Sequence, residues 1–351
     1  MRALVADFEG GEYGPVVRTI STLEDASALV GEAAALRGLG DISLVVPVDI
    51  PDDVGAYRDA MLVDAGGEVR PRWANVDGAL YPRDFDAFAL TTMYHHLERA
   101  QAYFAGLGAS LEDPLDVYYL PFVHMTIGSE ELALTDNALY FFGVRFLAVT
   151  RFDLLQTLPL GMNRGVVIHE YGHAIFDELV YDDAARLQLL SGRLADRTAN
   201  HLRSTTEALS DFFAAAETGD PDFIRWSVDE ELMPASRDLS LPVIYDEALL
   251  ETADVVPEAY DPYVAGSALA SALWRIDVDR TVLARALVEA QRAFGQRLRD
   301  EPPWSQAPDD FGFAWLLDPF VLELETDQSA AACAVFEEQL PAAAIYMSTC
   351  Q

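Results

Sequence analysis

The chain has 351 residues and is 51 % hydrophobic, enough for a sizeable core and for two lobes or domains. Its formal net charge is −35, and with no lysine present all 23 basic residues are arginine. A field of that sign repels phosphate backbones, which argues against nucleic acid as a partner and fits a solvated acidic surface in a saline or extracellular setting. No apolar run reaches the roughly 18 residues of a membrane span. The best stretch, 138–152, is broken by Arg145 and Arg151.

The N-terminus turns acidic too early for a signal peptide. The expectation is therefore a secreted or cell-envelope protein whose leader is absent from this chain, with a cytoplasmic protein as the alternative. The first stretch reads as strands and turns. Residues 42–47 form an apolar run ending at Pro47, and 60–69 reads as two short strands around Ala65-Gly66-Gly67-Glu68, a hairpin signal. Tyr94, Leu97, Ala100, Phe104 and Leu107 recur at helical spacing and stop at Gly108. Residues 117–122 and 137–146 read as strands.

Beyond residue 165 the pattern is helical: 166–179, about 199–218, 266–276, 282–298 and 329–339. Strands first and helices later predict an α+β fold. The expected parts are a strand-rich segment over 1–88, an α+β catalytic lobe over 89–180 and a helical lobe over 181–351. The helix at 166–179 is expected between the lobes, on the floor of a cleft. Cys333 and Cys350 have no Cys-x-x-Cys partner and no neighbouring histidine, which argues against a thiolate metal site. Either a disulfide closes the C-terminal segment, which would favour export, or two thiols are buried free.

His169-Glu170-Tyr171-Gly172-His173 is an H-E-x-x-H sequence. On a helix, residues four apart share a face about one turn apart. Two imidazoles placed so can bind one zinc ion, while Glu170, beside the first, acts as general base toward a water. A catalytic zinc takes three protein ligands and keeps a fourth position open. Glu207 is the best third ligand, on the next helix. Asp211, four residues on, shares its face and can accept the free N–H of a ligating imidazole. A capping box at Ser204-Thr205-Thr206-Glu207 is the structural alternative for Glu207. His95, His96, His124 and His201 read as solvated helix-face histidines. Calcium would suit so acidic a chain, but no Asp-x-Asp-x-Asp-Gly loop is present to place it.

His169–His173 followed by Glu207-Ala208-Leu209-Ser210-Asp211 resembles the zinc signature of the gluzincin metallopeptidases, thermolysin-like and fungalysin-like. The resemblance covers roughly residues 136–276. It implies one zinc ion held by His169, His173 and Glu207, with Asp211 holding His169. Asp136-Asn137-Ala138-Leu139-Tyr140 resembles the family's edge strand, where Asn137 and the backbone of Ala138 would bind an extended peptide as an added strand. Arg237 resembles the arginine that grips a substrate carbonyl, an ordinary surface arginine being the alternative. Tyr263 stands where the family carries an oxyanion-stabilising histidine. A phenol can donate the same hydrogen bond, but the departure bears on catalytic efficiency. His173 and Glu207 are farther apart in sequence than usual, which implies an extra loop or helix around 184–194. The resulting expectation is a zinc endopeptidase acting on peptide or protein substrates. A zinc-binding pseudopeptidase that serves as a peptide- or protein-binding module is the competing reading. An exopeptidase would need a further charged anchor, and none is identifiable. The sequence sets no oligomeric state.

Overall fold

The computed structural model describes residues 1–44, 53–127, 130–152, 156–190, 194, 196–228, 237–251, 261–304, 307–308 and 310–351. The chain divides into two compact units: Met1–Ala105 with Ser110–Ala174 and Ile224–Asp229, and Gly106–Ala109 with Ile175–Phe223 and Glu230–Gln351. The fold class is α+β, with an N-terminal sheet region and a helical C-terminal region. Among the described residues no helix is long and apolar enough to cross a membrane.

In the first unit, β1 (Arg2–Glu9) and β2 (Glu12–Thr19) form a hairpin. Short strands β3 (Leu23–Asp25), β4 (Val30–Gly31), β5 (Ala34–Gly38) and β6 (Asp41–Leu44) follow. Next come α1 (Val54–Met61), β7 (Leu62–Asp64), β8 (Gly67–Glu68), β9 (Trp73–Val76) and β10 (Ala79–Pro82). The long helix α2 (Phe85–Leu107) leads to β11 (Leu115–Tyr119), β12 (Phe122–Ile127), β13 (Glu130–Leu134), β14 (Ala138–Phe141) and β15 (Phe146–Val149). Helix α3 (Arg164–Val180) closes the series, and the boundary between the units falls within it.

These strands form three sheets. One has the order β2-β1-β10-β9 and another β13-β12-β6-β7. The largest has seven strands in the order β14-β15-β11-β5-β4-β3, with β8 added on β5. All four residues of β15 are buried, as expected of a strand covered on both faces. On α2, Tyr94, Leu97, Ala100 and Phe104 are fully buried at helical spacing, and Gly108 ends the helix with φ +92°.

Several sequence expectations shift. Residues 60–69 are not a hairpin: 54–61 is a helix, β7 pairs with β6 and β8 with β5. The glycines there serve a bend between two sheets, and pairing with distant strands overrides the local turn signal. The stretch 137–146 is a hairpin of β14 and β15 rather than one strand, turning through Gly143 at φ +73° and Arg145 at φ +59°. Leu120, at φ +55°, breaks 117–122 into the end of β11 and the start of β12. Of the apolar run 42–47, residues 45–47 lie outside the described residues.

The second unit holds α4 (Asp183–Leu190), α5 (Asp196–Thr218), α6 (Ala248–Glu251), α7 (Pro262–Arg275), α8 (Arg280–Asp300), α9 (Ala314–Leu322), α10 (Thr326–Gln339) and α11 (Pro341–Ala344). Asp261 and Asp279 cap α7 and α8 by accepting from the first-turn amides. Helix α4 lies in the stretch for which an insertion was expected. Helix α9, with Pro319 inside it, had no sequence expectation. Cys333 on α10 and Cys350 form a disulfide that closes the C-terminal segment.

Two close approaches fix the helices that matter most. Gly266 of α7 lies against α5: a methyl group there would stand 3.0 Å from Ser204 O and 3.4 Å from Glu207 Cβ. Gly295 of α8 lies against the end of α3: a methyl group would stand 2.7 Å from Val180 Cα and 2.7 Å from Val180 O. Backbone cannot step aside as a flexible side chain can. The Gly295→Ala chain is therefore expected to lose about 1–3 kcal/mol of stability. Chemical denaturation with a helix-sensitive signal measures the loss; a neutral substitution would show that α8 and α3 are not held this close.

Candidate metal and peptide-binding site

Helix α3 begins at Asn163, whose side-chain oxygen accepts from the amides of Gly165 at 3.0 Å and Val166 at 3.4 Å. The Tyr13 hydroxyl donates to the same oxygen at 2.9 Å and accepts from the Arg164 amide at 2.7 Å. His96 Nε2, at 3.2 Å, holds the Met162 carbonyl just before the helix. Burial raises the Tyr13 and Tyr171 phenols well above their usual range, so both stay neutral.

The apolar lead-in Val166, Val167 and Ile168 buries α3 and takes the motif with it. His169, Glu170 and His173 are 3 %, 6 % and 4 % exposed. The i, i+4 spacing brings His169 Nε2 within 3.0 Å of His173 Nε2, with the rings perpendicular at 4.6 Å between centroids. Two nitrogens each about 2.0–2.1 Å from one tetrahedral ion stand roughly 3.3 Å apart, so this pair fits a shared ion. Tyr171 turns the other way and stacks on Phe104 of α2 at 5.7 Å. Phe142, in the β14–β15 turn, sets its ring edge-on to His173 at 5.5 Å. Glu170 borders a small apolar hollow lined by Leu97, Leu147, Val149, Leu160 and Val167, among others, and too tight for water.

Asn137 is exposed and immediately precedes β14; its amide donates to Thr150 Oγ1 at 2.9 Å. Ala138 is buried and opposite Val149. Among the described strands β14 pairs with β15 alone, so it is an edge of the seven-stranded sheet.

In the second unit, α5 starts eight residues before Ser204. Ser204 is therefore inside the helix, and the capping-box alternative for Glu207 falls away. Glu207 is half-buried, and Asp211, one turn on, is 1 % exposed. Arg237 grips Asp211 with two bonds, Nε to Oδ2 at 3.2 Å and Nη2 to Oδ1 at 2.5 Å. Its guanidinium also lies 4.1 Å from the centre of the Tyr263 ring, a cation–π contact. Burial favours the neutral form of Arg237, but Asp211, Tyr263 and Glu207 outweigh it and raise its pKa. The structure thus brings Glu207, Asp211, Arg237 and Tyr263 into one cluster, with Tyr263 in the first turn of α7. Arg237 is no ordinary surface arginine: its side chain is 11 % exposed. Nothing in the sequence paired it with Asp211, 26 residues earlier. Arg186 of α4 makes a comparable bond to the buried Asp177 near the end of α3, 2.9 Å from Nε to Oδ1.

Three of the histidines read as solvated are buried: His95, His96 and His201, at 5 %, 0 % and 2 % exposure. Their apolar neighbours come from distant segments, such as Phe311 and Phe313 around His201. His124 is half-exposed, on strand β12.

No protein-family model matches the chain, and no curated protein matches it. A solved structure described as the precursor of protealysin, a metalloproteinase from Serratia proteamaculans, is similar over 91 % of this chain and 91 % of that chain. The sequence identity is 14 % and the TM-score 0.41.

Two outcomes follow from this geometry. Arg237→Ala removes a buried guanidinium from a buried carboxylate, and a loss of about 3–5 kcal/mol is expected in denaturant titration. An effect under about 1 kcal/mol would place the pair in solvent. His201 titrates far below its usual value, at about 3, because burial and then the Arg197 charge disfavour its protonated form. Between pH 6.5 and about 3 the unfolded chain binds a proton there that the folded chain does not, so this contribution to stability falls as pH falls. His201→Gln is expected to flatten the stability–pH slope in that window by up to about 1.4 kcal/mol per pH unit. An unchanged slope would show that His201 takes up its proton equally in both states.

Proposed function

We propose that the chain is a zinc-dependent peptidase of the gluzincin type. Its carrying observation is the 3.0 Å approach of His169 Nε2 to His173 Nε2 on a buried helix, with Glu170 buried beside them. Glu207 would join His169 and His173 as the third ligand, since two imidazoles with one carboxylate suit zinc. The chemistry that a zinc ion supplies when bound is activation of a water and polarisation of a carbonyl.

The protein's own groups do the rest. Glu170, adjacent to a ligand and not one itself, takes the proton of the attacking water and returns it to the leaving amine. Asp211 orients a ligating imidazole, and Arg237 in turn fixes that carboxylate. Arg237 is then a positioning residue at least as much as a substrate grip. Tyr263 donates its phenolic hydrogen to the developing oxyanion, and the cation over its ring face holds the ring in place. An extended peptide adds to the β14 edge through Asn137 and the backbone of Ala138. The Cys333–Cys350 disulfide supports an exported setting.

A second reading is a zinc-binding module without peptidase activity. Its support is Tyr263 itself, a weaker oxyanion donor than the expected histidine and already in contact with Arg237. One experiment separates the two. Elemental analysis should find zinc in the wild-type chain and in Glu170→Gln, and much less in Glu207→Ala. Wild type should cleave unfolded casein in a chelator-sensitive way, while Glu170→Gln is slower by about 10²–10⁴-fold. Zinc without cleavage in the wild type favours the binding module. Full cleavage by Glu170→Gln refutes the general-base role.

A further inference from the structure

We propose that Asp7, His95 and His96 form a second transition-metal site, within the first unit, that anchors the start of α3. Asp7 lies on β1, and the two histidines are consecutive on α2. All three are buried, and one ligand atom from each lies within 4.8 Å of the other two. The His95 and His96 rings are 5.5 Å apart and tilted by 44°. His95 Nε2 is 3.7 Å from Asp7 Oδ2, too far for a hydrogen bond and open to an ion between them.

The nitrogens supply the second observation. His96 Nε2 faces the Met162 carbonyl at 3.2 Å and must donate to it, so His96 Nδ1 keeps a lone pair. Neither that Nδ1 nor either ring nitrogen of His95 has a hydrogen-bond partner among the described residues. Buried polar atoms are almost always satisfied, and a metal ion satisfies lone pairs that no nearby donor reaches.

The surroundings suit a ligand carboxylate. Phe8 N donates to Asp7 Oδ1 at 2.9 Å and Arg18 Nε to Oδ2 at 2.8 Å, which fixes its orientation. Arg18 is also paired with Glu9, so its charge is shared. Arg164 Nη1 stands 3.7 Å from Oδ1, a second cation that opposes a dication here. Neither guanidinium donates to a ring nitrogen of His95 or to His96 Nδ1 among the described residues, so those lone pairs stay unmet. Two imidazoles and one carboxylate select a zinc-type ion over calcium or magnesium. Because Met162 precedes Asn163, the α3 cap, an ion on His96 ties β1 and α2 to the entry of α3.

The test counts ions on the full-length chain. Metal-stripped protein is titrated with zinc and with cobalt(II) by equilibrium dialysis, with the cobalt absorption band as a second readout. His95→Gln/His96→Gln should bind one ion fewer than wild type, and Asp7→Asn should bind that ion at least tenfold more weakly. A count unchanged in the double variant overturns the proposal, whatever the state of His169 and His173. If the double variant does not fold, His169→Gln/His173→Gln carries the test, because the cluster is intact in it. That chain should bind one zinc and melt at higher temperature with it, and the shift should shrink when Asp7→Asn is added. No zinc-dependent shift, or one indifferent to Asp7, overturns the proposal.

Discussion

The proposed function depends on the burial of two imidazoles on one face of α3. The helical spacing of residues four apart brings their Nε2 atoms within 3.0 Å of each other in a nearly dry place. The first unit is arranged around that pair. Asn163 and Tyr13 set where α3 begins, Tyr171 locks its rotation on Phe104, and Phe142 limits the swing of the His173 ring. Glu170, one position after His169, would lie beside an ion held by that histidine without reaching it.

The second unit builds a carboxylate face with its own support. Glu207 and Asp211 are one turn apart on α5, and α7 can pass closely there because Gly266 has no side chain. Asp211 lies in a nearly dry place, where a carboxylate alone would be costly, and Arg237 supplies both bonds of a bidentate pair. The same guanidinium covers the Tyr263 ring, so one arginine sets two residues. In a chain of net charge −35 made without lysine, a planar, always-charged donor is the natural partner for buried carboxylates. Arg186 on Asp177 and Arg18 on Asp7 repeat the device.

Legibility in the sequence tracks how local each cause is. Helices α2, α3, α5, α7, α8 and α10 were readable because their apolar spacing and stops lie within the segment. The H-E-x-x-H spacing was readable for the same reason. The hairpin reading of 60–69 failed because β7 and β8 take partners from different sheets, and no turn residue encodes that. Helix α9 was hidden by Pro319, which its neighbours tolerate in place. The histidines fared worst. Whether His95, His96 and His201 are wet or dry depends on residues 66 to 112 positions away, such as Met162 for His96 and Phe313 for His201, so local polarity pointed the wrong way.

The misread histidines also say where function can hide in such a chain. Six histidines occur in all, and five are buried. Burying an imidazole stabilises nothing by itself: it forfeits hydration and needs a specific partner in return. A sequence so rich in carboxylates could place its few imidazoles at the surface at no cost. Two pairs of them instead sit inside, His95 with His96 and His169 with His173, and the first pair shares a possible ligand group with Asp7. For His169 and His173 the motif announces that arrangement. For His95 and His96, adjacent rather than four apart, no motif does, and only the fold brings Asp7 to them.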